Sequence, residues 1–182
     1  MGFVHLVDKT NAWIGRLAAW LGLLMVLMGA GNALGGYLEP IVGRQLSLVA
    51  LDEGQWYLFS ILFLLAAPWA LAENAHVRVD VLYGRLGPKG KAWTDILGSL
   101  VLLIPFCAFS LWVLTPVAFE AFRVRETSPD AGGLVRWPLR IVAPVAFFLI
   151  ALQGIAGVVR SVYVLRTTAS ASSKTEAPSD AN

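Results

Sequence analysis

The chain has 182 residues, 57% hydrophobic and 14% charged, with a formal net charge of +2. A soluble domain averages about 25% charged residues, so this composition excludes an ordinary water-soluble fold. The near-neutral balance excludes a nucleic-acid surface, and a single cysteine, Cys107, excludes an internal disulfide.

Charge is not spread evenly. Four stretches carry none: between Arg16 and Glu39, Glu53 and Glu73, Asp95 and Glu120, and Arg140 and Arg160. Each is long enough, as a helix, to cross the roughly 30 Å hydrocarbon core of a bilayer. An ionised group at the centre of such a helix costs about 2.5–3.5 kcal/mol, so the bare stretches are a physical signature. The expected fold is an all-α integral membrane protein with four spans, at about 17–38, 54–72, 92–119 and 140–163. These form one membrane domain over residues 1–166.

Before the first span, Phe3, Leu6, Val7, Trp13, Ile14 and Leu17 recur at helical spacing. They predict a short amphipathic lead-in on the membrane surface. The first span is longer than the apolar region of a signal peptide and its basic flank is weak, so it reads as a retained helix. Trp13 and Tyr37 bracket it as interfacial anchors. Gly31 and Gly35 form a small-residue pair four apart, which suits close helix contact in lipid. Asn32 is expected to point at protein rather than lipid.

The first connection is net acidic, with Glu39, Arg44, Asp52 and Glu53. Span two contains Pro68. In the second connection His76, Arg78 and Asp80 alternate with Val77, Val79 and Val81, which separates polar and apolar sides if the segment is extended. Asp80 is placed to cap a short cytoplasmic helix over Val81–Leu86, ended by Gly87, with Pro88 opening the next helix. Lys91, Trp93 and Asp95 lead into span three. The third connection, about 120–140, mixes both signs of charge. From Thr167 the chain is small and polar, which predicts a disordered tail over 167–182. Cytoplasmic termini would put nine Lys and Arg inside and five outside, the arrangement that the positive-inside rule favours.

Reactive chemistry is not indicated. Glu73 and His76 have the spacing of a carboxylate–histidine metal pair, but no second pair accompanies them and His5 is far away in sequence. No span carries a histidine for haem. Nucleophile elbows, zinc-hydrolase motifs and phosphate loops are absent from the sequence. Gln153 and Asn32, the strongest polar groups within spans, are expected to hydrogen-bond between helices. No catalytic residue, cofactor or metal site is therefore assigned.

The run Glu53-Gly-Gln-Trp-Tyr-Leu-Phe-Ser, then Glu73-Asn-Ala-His-Val-Arg-Val-Asp-Val-Leu-Tyr83, then Ala92-Trp-Thr-Asp95 resembles the small, DctQ-type membrane subunit of tripartite ATP-independent periplasmic (TRAP) transporters. Glu126-Thr-Ser128, Gly132-Gly-Leu134 and Arg136-Trp-Pro resemble the same family's third connection. The likeness covers about residues 10 to 165. It implies a bacterial inner-membrane subunit without catalytic residues or cofactor. Its partners would be a large permease subunit, a periplasmic substrate-binding protein and membrane lipid. It would brace the large subunit and help dock the binding protein for sodium-driven uptake of organic acids, with carboxylates or keto acids favoured. Gln55, Trp56, His76, Arg78, Asp80 and Asp95 become structural or interface candidates through the resemblance, alongside Gly31 and Gly35 from spacing. The alternatives are a stand-alone four-helix carrier or channel, which the lack of charge within spans disfavours, and an intramembrane enzyme, disfavoured by the missing nucleophile–base set.

Overall fold

The computed structural model describes residues 2–43, 48–73 and 86–175. Four helices are long and apolar enough to span a membrane, and the described residues form no strand beyond one isolated bridge. Helix α1 (Gly2–Val42) is followed by α2 (Val49–Ala72). The third span is built from α3 (Pro88–Leu97), a π-helical turn (Gly98–Leu103) and α4 (Ile104–Arg123). Helix α5 (Trp137–Thr175) completes the fold and packs against every other span.

The amphipathic lead-in is continuous with the first span, and the expected turn inward is absent. Nothing between Gly2 and Glu39 breaks a helix, since the first proline is Pro40. At 41 residues α1 is about 60 Å long, so its ends, with His5 and Asp8 at one and Glu39 at the other, reach past a hydrocarbon core. Its inner stripe also differs from the expected one. Val4, Val7, Asn11, Gly15 and Ala18 are buried, whereas Phe3, Leu6, Trp13 and Leu17 are exposed. Helix α5 likewise runs to Thr175, into the segment where composition predicts a disordered tail. Ala169 and Ala171, the best helix formers, fall in that extension. The alternating segment with His76, Arg78 and Asp80 lies outside the described residues, as does nearly all of the short helix expected after it.

Pairing of α1 with α2 follows a repeat. A Cβ built on Gly15 would lie 2.6 Å from Trp69, one on Gly22 3.3 Å from Leu62, and one on Gly29 2.8 Å from Gln55. Along α1 the glycines rise by seven as their partners on α2 fall by seven, the mark of an antiparallel seam with a 3.5-residue period. Without a hydrophobic effect between helices in lipid, close approach at small residues supplies the attraction. Gly31 is not in this seam, and a Cβ built on it would have no neighbour within 4 Å among the described residues. Gly35 is half-buried near the end of the helix.

On the other side, α4 and α5 also run antiparallel, with Phe122 against Trp137 and Phe106 against Phe147. Cys107 is wholly buried there. The π turn ends two residues before Pro105, whose missing N–H cannot serve the preceding helical turn. Pro88 opens α3 at its first turn, as expected. Pro68 is buried inside α2 and Pro144 lies within α5, and both helices continue through them. Only 11% to 22% of each span's most apolar window is buried within the chain, so the outer faces are left to lipid or to another protein.

Candidate functional site

The antiparallel order puts the first and third connections at one end of the bundle, here the loop end. Both termini lie at the other, the terminus end. A polar cluster is built at each.

At the loop end, Glu53 sits in the first turns of α2 and is 3% exposed. Its carboxylate accepts hydrogen bonds from the Ser128 hydroxyl and the Leu134 backbone N–H, and the Arg136 guanidinium lies 3.5 Å away. One side chain of the second helix thus holds three positions of the third connection. That connection is shaped for the role. Helix α4 ends with Arg125 in the left-handed region (φ 53°), and the Glu126 N–H returns to the Ala121 carbonyl, which closes the helix as a Schellman-type cap. The Arg125 guanidinium lies 5.0 Å from the Phe122 ring centre and 5.5 Å from that of Trp137. Ser128 N–H donates to the Leu134 carbonyl, and Gly132 turns the chain with φ 80°. A Cβ on Gly133 would lie 2.5 Å from Ser128 and 2.7 Å from the Glu53 carboxylate. Glycine is needed there for the loop to close over the acid. Arg140 pairs with Glu126 at 3.0 Å on the outer side.

Arg136 lies 5.6 Å from the Trp56 ring centre. Burial opposes its charge, but the neighbouring Tyr57 hydroxyl and Glu53 carboxylate outweigh that and hold its pKa above the ordinary arginine value. Tyr57 Oη and Arg136 Nε are both buried and neither makes a hydrogen bond of good geometry.

Beside this cluster Asn32 bridges α1 to the start of α2. Its amide donates to the Asp52 carboxylate at 2.7 Å and accepts the Leu48 N–H at 2.9 Å. Asp52 lies in the first turn of α2, where a carboxylate also suits the helix dipole.

At the terminus end the buried amides of Asn11 and Gln153 are joined at 2.7 Å. Gln153 also donates to Asp8 at 2.8 Å, and Arg160 pairs with the same carboxylate at 2.5 Å. Val4 and Val7 pack on Ala156 just beside them. Asn32 and Gln153 thus make the interhelical bonds their place in the spans predicts.

The candidates taken from the sequence are divided among these features. Gln55 packs in the glycine seam and Trp56 stacks under Arg136. Asp95 is half-buried on α3. His76, Arg78 and Asp80 fall outside the described residues. Glu53, the centre of the loop-end cluster, is missing from the candidate list although it opens the first quoted motif. Its signal is a lone carboxylate at the mouth of an apolar run. The motif pieces around Ser128, Gly133 to Leu134 and Arg136 are the parts of the chain that meet it.

A family model described as tripartite ATP-independent periplasmic transporters, DctQ component, matches residues 40–163. No curated protein matches the chain, and no solved structure matches it. The matched stretch includes all of α2, the third span and the Glu53 cluster, and leaves out most of α1.

Proposed function

The chain belongs to the DctQ component family of tripartite ATP-independent periplasmic transporters, and we propose that it is the small subunit that braces a large permease subunit and helps dock a periplasmic binding protein. In this reading it lies in the bacterial inner membrane with both termini in the cytoplasm, so the loop end faces the periplasm. The assembled transporter takes up organic acids, carboxylates or keto acids, using a sodium gradient.

One observation carries the reading. The buried polar groups Glu53, Asn32, Asn11 and Gln153 are all engaged in tying elements of the chain to one another. That is what a brace requires: fixed helices and a fixed loop, presented to partners. The loop fixed by Glu53 displays exposed Arg125 and Asp130 at the end where a periplasmic protein would arrive. The largely unburied spans supply a face for a large membrane partner. Gln55, Trp56, Asp95, Gly31 and Gly35 are proposed to support that face, and His76, Arg78 and Asp80 to act on the cytoplasmic side.

The test is reconstitution. Proteoliposomes containing this chain, the large subunit and the binding protein should take up an organic acid when sodium is supplied. Uptake should vanish when either membrane subunit is left out. Uptake by this chain alone, or full uptake without it, contradicts the proposal.

A further inference from the structure

Helices α2 and α4 both lean on α5, and a half-open cleft of about 350 Å³ lies between them near the loop end. Its wall is apolar, formed by Leu64, Leu114, Val117 and Ala143, among others. Ser60 adds no free polarity, because its hydroxyl bonds back to the Trp56 carbonyl of its own helix. Arg136 and Arg140 line the same cleft at the end of α5 nearest the loops.

We propose that this cleft binds a glycerophospholipid, with one acyl chain along the apolar wall and the phosphodiester at Arg136 and Arg140. The order of groups along the cleft is that of the lipid itself. The two arginines sit where the fourth span begins, at headgroup depth, and Trp56 beside them is a residue typical of that boundary. Trp56, Ser60 and Leu64 follow one face of α2, so the wall descends about 12 Å. That is close to the depth of one leaflet, roughly half of a 30 Å core. A spanning helix of a partner would need a groove running the full thickness, so depth favours a lipid over a helix.

The electrostatics also fit a phosphodiester. Each guanidinium spends part of its donor set on a carboxylate, Arg136 on Glu53 and Arg140 on Glu126. A guanidinium carries five N–H donors, so donors remain on Arg140, whose side chain is 48% exposed. Two guanidiniums offset by two carboxylates leave the site without net charge. The site therefore recognises the phosphate by hydrogen bonding and does not select for extra headgroup charge.

The full chain in nanodiscs of phosphatidylethanolamine and phosphatidylglycerol, doped with a trace of phosphatidylglycerol bearing a diazirine on its acyl chain, provides the test. After illumination, mapping by mass spectrometry should place adducts on Leu64, Leu114, Val117 and Ala143 in preference to the exposed face of Phe109 and Trp112. A diacylglycerol with the same diazirine chain should not show that preference. Arg140→Gln should lower cleft labelling about tenfold, the scale of a lost charge-assisted hydrogen bond. Ala143→Trp, which fills the wall, should abolish it while labelling of the Phe109 face persists. Even labelling around all helices, equal labelling by diacylglycerol, or no response to either substitution overturns the proposal. So does displacement of the probe when the large subunit is added, because a protein then occupies the cleft.

Discussion

The loop-end and terminus-end clusters use the same kinds of side chain, a carboxylate, an arginine and neutral polar groups, but enclose them differently. Glu53 is 3% exposed, and its partners lie on a connection more than seventy residues away in sequence. Asp8 and Arg160 keep 32% and 42% of their side chains exposed, with only the amides of Asn11 and Gln153 beneath them fully buried. A buried pair punishes the loss of one member, because the other is left desolvated and unpaired. A half-exposed pair is screened by water and salt and contributes little. The loop end is therefore built to fix a backbone conformation, and the terminus end to align two helices.

Substitutions should reproduce that gradient. Glu53→Ala strands the Arg136 guanidinium, the Ser128 hydroxyl and the Leu134 N–H together. It should be the most destabilising of these substitutions, read as a large drop in thermal midpoint in detergent or nanodiscs. A loss near that of a surface substitution would erase the contrast between the two ends.

Gly15→Leu probes the seam that joins them. Its first added carbon already meets Trp69 at 2.6 Å, and overpacking of this kind costs about 1–3 kcal/mol. Gly31→Ala, in open space, should be neutral or slightly stabilising. Equal effects at the two positions would remove the seam from the account.

At the terminus end, Gln153→Leu leaves the buried Asn11 amide without its acceptor and should cost about 1–2 kcal/mol. Pairing it with Asn11→Leu should recover most of that loss, because two apolar groups then face each other. Arg160→Ala should cost below about 1 kcal/mol, and less as salt is raised. A salt-independent loss as large as that of Glu53→Ala would show the two pairs to be equivalent.

The spans were legible because lipid leaves little choice: the part of each helix that crosses the hydrocarbon core must run bare of charge. Their ends were less so. The first helix begins at Gly2 and the last reaches Thr175, because ends past the bilayer are set by helix propensity and packing, which the charge count does not register. Asn32 and Gln153 announced themselves as polar groups in apolar runs. Glu53 did not, since a carboxylate at the edge of a span also reads as loop charge. Its meaning lies in Ser128, Leu134 and Arg136, which only folding brings near. The glycine seam was visible in principle, as glycines at 15, 22 and 29 opposite 69, 62 and 55, but the nearer pair Gly31 and Gly35 has the more familiar spacing.

The claim that Glu53 latches the third connection to the second helix is tested most directly by amide hydrogen exchange in Glu53→Gln, which keeps the size of the side chain and removes its charge. Exchange should rise at Leu134, whose N–H donates to Glu53, and at Ser128 and Arg136, whose N–H groups are bonded within the closed loop, while residues around Asn11 and Gln153 keep wild-type protection. Unchanged protection across 126–136, in a variant that is otherwise folded, would contradict the latch.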